Sequence, residues 1–447
     1  MPTTQCIAPI KLQFHSKPIL LSADAPNLSS DGGALLLRQV DDQLGLTRAF
    51  AAQLDDRRDP GRRRHDRHEQ FRQRVFQIAL GYEDCLDANL LRHDLVMQQA
   101  CGSDEQLLSS QPTLSRFENS ISGRELNRLW REFERQYVDQ LDPATAFIVL
   151  DIDSTDDETH GSQQLSFFHG FYDQHMFHPV VVFDGEAGQL ISALLRPGNA
   201  HAARGATTML ERIIRAIKQR CPCAGIVVRG DSAFAMPGLL DRLERLSDEL
   251  GDIEYCLGLA KNSRLLKLAE PLIAQAAEEY EATKRFVRRF AWMKYSTLDS
   301  WPRQRDVVLK VEYGKLGANP RFVVTTLTDF DAGLIYDRAY CPRGQSENYI
   351  KDFKNALAAD RLSCHRFVAN AFRLLLHAVT YRLMHALRNL AGAVEPTLRR
   401  VQMDTLRLRL LKVAALVVTS VRRIVVRLPQ AFPLAETFLA IARRLHT

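Results

Sequence analysis

The chain has 447 residues, of which 46% are hydrophobic and 25% charged, and its formal net charge is +6 at pH 7. This globular composition leaves room for two or three domains, and the mild basic bias is compatible with a nucleic acid partner. The longest late apolar run, Val413 to Val418, is too short to cross a bilayer, and the N-terminus lacks the pattern of a signal peptide. We therefore expect a soluble, cytoplasmic protein.

Helical patterns dominate the first 145 residues. They extend from Ala34 to Val40, from Gln43 to Ala51 and from Gln70 to Ala100, and a further helix is predicted from Leu126 to Tyr137. Small helical modules often dock DNA. We therefore interpret residues 1–145 as a helical region for DNA binding or dimerisation.

Residues 55–74 are dense in arginine, with five acidic residues interspersed. Two interpretations remain open for this segment. It is either a solvated linker whose charges partly pair with each other, or a surface that contacts the phosphate backbone. The planar guanidinium group suits the second role, because it fits the oxygens of a phosphate.

An apolar run that ends in carboxylates opens the middle of the chain. Residues 147–155 read FIVLDIDST, which predicts a central strand with Asp151 and Asp153 near its carboxyl end. Further strand-like runs follow at Leu165 to Tyr172, Met176 to Phe183 and Gln189 to Leu195. Together these runs predict an antiparallel meander, after which an amphipathic helix starts near Ala203.

A second apolar run, from Gly225 to Arg229, also leads to an acid, Asp231. A helix from Pro237 to Leu246 and a strand from Ile253 to Leu259 follow it. If the strands that precede Asp153 and Asp231 are neighbours in the sheet, the two carboxylates can meet.

Residues 263–335 are predicted to form a β-rich insertion. A helical segment, 264–284, precedes strand-like runs at Phe286 to Tyr295, Asp306 to Tyr313 and Arg321 to Leu327. Four basic residues form a strip that could follow a phosphate backbone: Arg285, Arg288, Arg289 and Lys294.

The stretch YCPRGQSENYIKDFK, residues 340–354, combines an acid with several basic residues. From Ser346 onward its pattern is helical, so Glu347 should stand on a stripe with Lys351 and Lys354 one and two turns on. A carboxylate beside cations suits a site that holds a metal ion and a polyanion together. An amphipathic helix with a solvated face is the plainer interpretation.

Helical patterns are also predicted for the C-terminal part. Residues Phe367 to Leu390 are apolar at helical spacing, and Arg399 to Arg427 contains eight basic residues against one acid. On a helix this second segment would form a basic face, suited to DNA or to a dimer partner, or simply solvated.

The spacing of Tyr340, Arg343, Glu347 and Lys354 resembles the Y-(2)-R-(3)-E-(6)-K signature of DDE transposases related to the IS4 group. Two sequence segments of the N-terminal region, GYEDCLDANLLRHD and LSRFEN, resemble the IS1380 transposase family in particular. These two matches are independent of each other. They imply an insertion-sequence transposase in a bacterial, nucleoid-associated setting.

The resemblance implies an α/β fold, with an RNase H-like mixed sheet flanked by helices. It also implies that Asp153, Asp231 and Glu347 are the catalytic, metal-binding carboxylates, with two Mg²⁺ or Mn²⁺ ions per site. The basic and aromatic residues of the signature, with Lys351 beside them, would contact DNA: Tyr340, Arg343, Lys351 and Lys354. The expected partners are double-stranded DNA, as terminal inverted repeats and target, and a second copy of the chain on that DNA.

This resemblance divides the chain into five regions. The helical 1–145 precedes a first part of the catalytic core at 146–262, the β-rich insertion at 263–335, a second core part carrying the Glu347 helix at 336–390, and a basic helical region at 391–447. In some related transposases a tryptophan of the insertion stacks on a flipped base. Trp292 and Trp301 are the candidates here, and ordinary packing is the alternative for both.

Three alternatives stay open. Asp151 and Asp153 lie on the same strand face, so either could be the first ligand; Asp153 fits the family motif better. The same DIDST run fits the nucleophile loop of haloacid-dehalogenase-type phosphatases, with Asp151 as nucleophile. The chain could also be a catalytically silent, transposase-derived DNA-binding protein.

Overall fold

The computed structural model describes residues 9–14, 16–103 and 107–446. Its strands, in chain order, are β1 Ile10–Leu12, β2 Ile19–Leu21, β3 Leu28–Ser29, β4 Phe147–Ser154, β5 Asp157–Glu158, β6 Phe167–His169, β7 Gln174–Phe177, β8 Val180–Asp184, β9 Leu190–Leu194, β10 Gly225–Gly230, β11 Ile253–Leu259, β12 Val287–Tyr295, β13 Arg305–Gly314, β14 Gly317–Thr325, β15 Ala415–Ser420 and β16 Arg423–Arg427.

The α-helices are α1 Ala34–Leu44, α2 Leu46–Ala51, α3 Arg67–Ala79, α4 Ala88–Leu91, α5 Leu95–Cys101, α6 Gln111–Ser120, α7 Gly123–Asp139, α8 Ala206–Arg220, α9 Pro237–Leu250, α10 Ser263–Thr283, α11 Ala332–Leu334, α12 Gln345–Lys351, α13 Phe367–Val394, α14 Met403–Leu406 and α15 Ala435–His446. Short 3₁₀ turns lie at Pro60–Arg62, Cys85–Asp87, Ser232–Phe234, Cys341–Gly344 and Pro396–Leu398. Turns of π-helix lie at Ile335–Tyr340, Asp352–Ala356 and Arg407–Leu411. None of the helices described is long and apolar enough to cross a membrane.

An eight-stranded mixed sheet forms the centre of the fold, with strand order β12-β13-β14-β11-β10-β4-β8-β9. The pairs β4–β10 and β10–β11 are parallel, and the other neighbours are antiparallel. This mixed sheet confirms the coarse α/β prediction. Of the meander predicted from β4 onward, the antiparallel order β4, β8 and β9 is present, whereas the predicted run from Met176 to Phe183 is divided between β7, in a separate small sheet, and β8.

Alternation along β4 sets the two faces of the sheet. Leu150 and Ile152 point into an apolar core shared with α8 and α9. Asp151 and Asp153, one residue out of phase, therefore face the opposite side. The sequence of β4 allows this because its apolar residues form a continuous run, as expected for a strand buried on both faces.

The long helix α13 joins the N-terminal helices to the sheet. Its side chains pack against α3, α6 and α7 on one side and against β9 on another. One apolar core contains Phe71 and Phe133 from the N-terminal helices, Phe183 of β8 and Phe372 of α13. The N-terminal helical region and this part of the sheet therefore share a single core.

The segment 263–335 does not form a separate layer. Strand β14 pairs antiparallel with β11, so β12, β13 and β14 continue the central sheet, and α10 packs on them. The three strands and the helix predicted here are confirmed. The predicted run from Leu165 to Tyr172 differs, because only Phe167–His169 is strand, and it belongs to a small separate sheet with β5 and β7.

The helix predicted from Arg399 to Arg427 is wrong over its second half. After α14 and a π turn, the chain forms a hairpin of β15 and β16, and β15 also pairs with β3. Three residues of β15 are β-branched, Val417, Val418 and Thr419, and burial alternates at its start, which favours a strand. The C-terminal region is thus mixed, with α15 as its last helix.

Candidate active site

Asp153 and Asp231 lie at the same edge of the sheet. Strands β4 and β10 are parallel neighbours, with Asp151 opposite Arg229 and Ile152 opposite Gly230. Continuing this register by one residue brings Asp153 and Asp231 side by side. Each follows an apolar run whose burial fixes the strand, and each stands two residues after the first charged group, Asp151 or Arg229.

The carboxylate of Asp153 is nearly enclosed by the segment that carries Glu347. Its Oδ2 lies 3.4 Å from Arg343 Nη1, and the Ser346 hydroxyl donates to the same oxygen at 3.5 Å. Its Oδ1 accepts from the backbone N–H of Ser154 at 2.8 Å. Burial and the charge of Asp231 raise the pKa of Asp153 to about 6, against the opposing effect of Arg343.

Asp231 is half-buried and caps the short turn Ser232–Phe234, since its Oδ1 accepts from the Ala233 N–H at 2.9 Å. Glu347 stands exposed in the first turn of α12. Its charge contributes to the raised pKa of Asp153, so it acts on the same site. Across the parts of the chain that the structure describes, however, no three His, Cys, Asp or Glu side chains are arranged to hold a metal ion.

Tyr340 lies against the backbone beside Asp231. A Cβ atom added at Gly258 of β11 would lie 2.7 Å from the Tyr340 hydroxyl oxygen and 3.0 Å from the Ser232 nitrogen. Glycine is therefore required at 258 for this close approach. The guanidinium of Arg343 lies 5.7 Å from the centre of the Tyr340 ring, so the two residues face Asp153 and Asp231 together.

The two lysines of the signature differ in their surroundings. Lys354 is partly buried, and its Nζ lies 3.0 Å from Asp156 Oδ1, which lowers the pKa of Asp156 against the effect of burial. Lys351 is exposed, and its side chain has no hydrogen bond or ion pair with the described residues. Thus the structure gathers Tyr340 and Arg343 at the two aspartates, Lys354 at Asp156, and leaves Lys351 facing solvent.

Asp151 has a different partner from Asp153. Arg229 holds both of its oxygens, with Nε–Oδ1 at 2.6 Å and Nη2–Oδ2 at 2.8 Å, and both side chains are buried. A Cβ at Gly185 would lie 2.7 Å from Asp151 Oδ2, so a larger residue at 185 would collide with this ion pair. A buried carboxylate whose two oxygens both accept hydrogen bonds from an arginine is a poor nucleophile. This pairing, and the antiparallel strand β8 beside β4, do not fit the phosphatase interpretation.

Several neighbours of the site had no signal in the sequence. The run Asp156, Asp157 and Glu158 suggests a solvated turn, yet Asp157 is 1% exposed and neither of its oxygens has a hydrogen-bond partner in the described structure. Burial and the nearby Asp360 raise the pKa of Asp157 well above its usual range. Arg229, Ser346 and Gly258 likewise belong to the site only through long-range contacts. The alternation of β4 and β10 could have indicated Arg229, because it faces the same side as Asp151.

The insertion residues are engaged in packing and ion pairs. Trp301 is 7% exposed, with its ring edge-on to Tyr295 and beneath the guanidinium of Arg305. Trp292 packs partly buried beside a small core. The basic strip is largely neutralised, as Arg288 pairs with Asp337 and Glu312, Arg289 with Glu279, and Lys294 with Asp306.

Comparison with known protein families identifies the lineage of this arrangement. The family described as transposase DDE domain group 1 matches residues 12–447. The chain belongs to this family. The chain is therefore a transposase-type enzyme. Domains of this family generally use divalent metal ions.

Among solved structures, a cryo-EM structure of the piggyBac transposase synaptic complex with hairpin DNA is similar to this family member. The TM-score is 0.44 and the sequence identity 11%, over 84% of this chain and 79% of that chain. No curated protein matches the chain.

The chemistry of the donors at this edge of the sheet fits a hard divalent cation. Carboxylate oxygens are the preferred ligands of Mg²⁺ and Mn²⁺. Burial, and after it the charges of Asp231 and Glu347, raise the pKa of Asp153. The guanidinium of Arg343 offsets part of that charge, and a bound cation would offset more.

Proposed function

We propose that this chain cuts duplex DNA at the ends of a transposable element and joins the freed 3′-hydroxyl group to target DNA. The observation that best supports this function is the adjacency of Asp153 and Asp231 at the ends of parallel strands, with Glu347 acting on the same site. In this proposal the three carboxylates hold two Mg²⁺ or Mn²⁺ ions. When bound, such ions stabilise the attacking and leaving oxygens of an in-line phosphoryl transfer.

Binding of metal and DNA should draw Glu347 toward the two aspartates. Glu347 is exposed on the short helix α12, whereas Asp153 and Asp231 are held by strands. The contacts of Arg343 and Ser346 with Asp153 already tie the beginning of this helix to the site. A small rotation of α12 would then bring the third carboxylate into place.

The basic and aromatic residues of the signature would hold the DNA. Once a cation neutralises Asp153, the guanidinium of Arg343 could turn to a phosphate oxygen, because its planar fork fits a carboxylate and a phosphate alike. Lys351, which is exposed, offers a further contact to the backbone, and Lys354 supports the site through Asp156. Tyr340 would position Arg343 and the backbone at Asp231.

The wider assignments rest on the same family. The order of antiparallel strands, helix, strand, helix and strand from β4 to β11 supports an RNase H-like core made of 146–262 and 336–390. The GYEDCLDANLLRHD segment supports the IS1380 group. Since two element ends must be joined, a homodimer on DNA follows from the reaction. A bacterial protein that acts on chromosomal DNA would be found at the nucleoid.

Strand cleavage of a duplex that carries the element's own end would test this function. The wild type would be compared with Glu347→Gln in Mg²⁺ and in EDTA. Glu270→Gln is a matched control, since Glu270 is also exposed on a helix but lies far along the chain on α10. We expect cut ends with a free 3′-hydroxyl from the wild type and the control, and none in EDTA or from Glu347→Gln.

The other outcomes are equally informative. Binding without cleavage by the wild type would identify a silent DNA-binding protein. Cleavage that survives Glu347→Gln would show that another residue supplies the third carboxylate. Cleavage in EDTA would refute the metal-dependent mechanism.

A further inference from the structure

A cleft in the N-terminal helical region is lined by arginines and lies outside the carboxylate site. Its volume is about 590 Å³. It is formed by the arginine-dense segment before α3, by the end of α4 and by one side of α6. The arginines that line it are Arg58, Arg62, Arg64, Arg67, Arg92 and Arg116. No described acidic residue lines it. We call this feature the arginine cleft.

Nearby carboxylates neutralise only part of this charge. Asp56 is the main counter-ion, with Arg58 Nε and Nη2 both at 2.7 Å from its oxygens. Arg67 also turns toward Asp56, at 3.8 Å, and burial together with the charge of Arg58 lowers the pKa of Arg67. Asp59 lies 3.6 Å from Arg62. Asp56 is thus shared by Arg58 and Arg67, while Asp59 pairs with Arg62.

Three arginines of the cleft, Arg64, Arg92 and Arg116, have no counter-ion among the described residues. Arg64 and Arg116 are exposed, and within the described ranges their side chains make no hydrogen bond or ion pair. They face a cleft that already holds four other guanidinium groups. Unpaired guanidinium groups gathered in an open cleft form a site for a polyanion, because each can donate two parallel hydrogen bonds to a phosphate.

Neutral donors complete the cleft. The hydroxyls of Ser110 and Thr113, 3.1 Å apart, lie at the start of α6, and Ser120 lies at its end. Such groups commonly bind phosphate and sugar oxygens and read no base sequence. The ring of Phe117 is covered by Arg67 at 5.1 Å, so it does not offer a free face on which a base could stack.

A segment that follows the Glu347 helix in the chain touches the end of α6 beside the cleft. Arg366 is exposed, and its Nη1 donates to the Asn119 carbonyl at 2.5 Å, next to the end of α6. The carbonyl of His365 accepts from the Gln164 N–H at 2.9 Å, on the loop that follows β5. His365 and Arg366, which are exposed and follow the Glu347 helix in the chain, therefore link the loop after β5 to the end of α6. A duplex that leaves the carboxylate site along this segment would reach the arginine cleft.

From these contacts we infer that the arginine cleft binds the phosphate backbone of duplex DNA, independently of base sequence, as a second anchoring site on the flank of the cut. This inference rests on the proposed function for the identity of the polyanion. For residues 55–74 it favours phosphate contact over a solvated linker, since the segment pairs with itself only in part.

The test is the salt dependence of duplex binding by the double variant Arg64→Ala/Arg116→Ala, measured by fluorescence anisotropy with a 30-base-pair duplex of arbitrary sequence. Each lost phosphate contact should reduce the slope of log K against log salt by about 0.9. We therefore expect a slope smaller by about 2 and a Kd higher by about 10-fold or more at 0.1 M salt. Because both side chains are exposed and unpaired, Tm should be unchanged.

A matched control removes the same charge elsewhere. Arg131 and Arg245 are exposed helical residues whose side chains have no ion pair in the described structure. Arg131→Ala/Arg245→Ala should leave the slope within about 0.5 of the wild type, about half of one phosphate contact. A triple variant that adds Arg92→Ala should weaken binding further.

Failure of this inference is distinct from failure of the proposed function. If the wild type cleaves element ends and the Arg64/Arg116 variant binds DNA with an unchanged slope, the arginine cleft does not contact DNA. If the variant and the control lose affinity equally, only net charge matters and the inference is again refuted. If Asp231→Asn binds duplex as the wild type does while the Arg64/Arg116 variant does not, the cleft is a separate binding site.

Discussion

Asp151 and Arg229 form a doubly hydrogen-bonded ion pair across the parallel strands β4 and β10, two residues before Asp153 and Asp231. The two distances are 2.6 and 2.8 Å, and the side chains are 0% and 3% exposed. The pair therefore holds together the two strand ends that carry the proposed ligands. We propose that it positions them, which favours Asp153 over Asp151 as the first ligand.

Removing one partner of this pair should destabilise the protein. For Asp151→Asn we expect the free energy of unfolding to fall by about 3–5 kcal/mol, because Arg229 is left as an uncompensated buried charge. Urea unfolding would measure it. The double variant Asp151→Asn/Arg229→Gln should recover part of the loss. A variant Asp151→Asn that is as stable as the wild type yet unable to cleave would instead make Asp151 a ligand.

Asp153→Asn should abolish most of the cleavage activity while increasing the stability of the protein above neutral pH. Burial beside Asp231 raises the pKa of Asp153 to about 6, so the folded protein binds a proton that the unfolded chain releases near pH 4. Wild-type stability from this group is thus present below about pH 4 and is lost as the pH rises through about 6.

In EDTA, Asp153→Asn should therefore match the wild type near pH 4 and exceed it by about 1–3 kcal/mol at pH 8. Cleavage should fall by about 10³-fold or more, since a metal site contributes several kcal/mol to the barrier. Asp248→Asn, at an exposed helical position, serves as the control. A loss of stability at pH 8 would contradict the assigned environment.

Asp157→Asn should stabilise the protein at neutral pH. The Asp157 carboxyl is buried without a hydrogen-bond partner in the described structure, and burial raises its pKa. Its ionised form is costly, so wild-type stability declines as the pH rises above the unfolded pKa near 3.9. We expect the free energy of unfolding of Asp157→Asn to exceed that of the wild type by about 1–3 kcal/mol at pH 8, and this gain should shrink toward pH 4. Thermal unfolding at several pH values would measure it. A pH-independent effect would indicate that Asp157 is ionised in the folded state.

Gly258→Ala should impair cleavage by displacing Tyr340. The added Cβ would lie 2.7 Å from the Tyr340 hydroxyl, closer than real side chains approach. We expect a loss of about 10-fold or more, because small displacements at a reacting centre are costly. Tyr340→Phe removes the clashing oxygen, so Gly258→Ala/Tyr340→Phe should be less impaired than Gly258→Ala alone. Equal activity of Gly258→Ala and wild type would show that Tyr340 does not need its place beside Asp231.

Local patterns in the sequence predicted the elements that carry the site. The apolar runs of β4, β10 and β11 indicate buried strands without any tertiary information, and the strand bounds Ile253–Leu259 agree with the prediction. The polar residue that follows each run was therefore a sound candidate. Helical spacing identified α9, α10 and α13 in the same way.

Features that depend on distant contacts could not be predicted. Arg229 and Asp151 are 78 positions apart, and Lys354 and Asp156 are 198 apart, so no local pattern connects them. The burial of Asp157 depends on how the small sheet of β5, β6 and β7 packs. The hairpin of β15 and β16 was mistaken for a helix because a run of mixed apolar and basic residues satisfies either period, and tertiary pairing with β3 decides between them.

Helix α13 also sets the order of events during synthesis. The core around Phe71 and Phe133 is completed by Phe372, yet α13 begins about 230 residues after α7 ends. At 5–20 residues per second, the ribosome would need about 10–50 s to deliver it. During that interval the first helices can pack on one another but lack α13, which covers part of their apolar surface. A nascent chain interrupted before residue 367 should therefore be a substrate for chaperones and proteases.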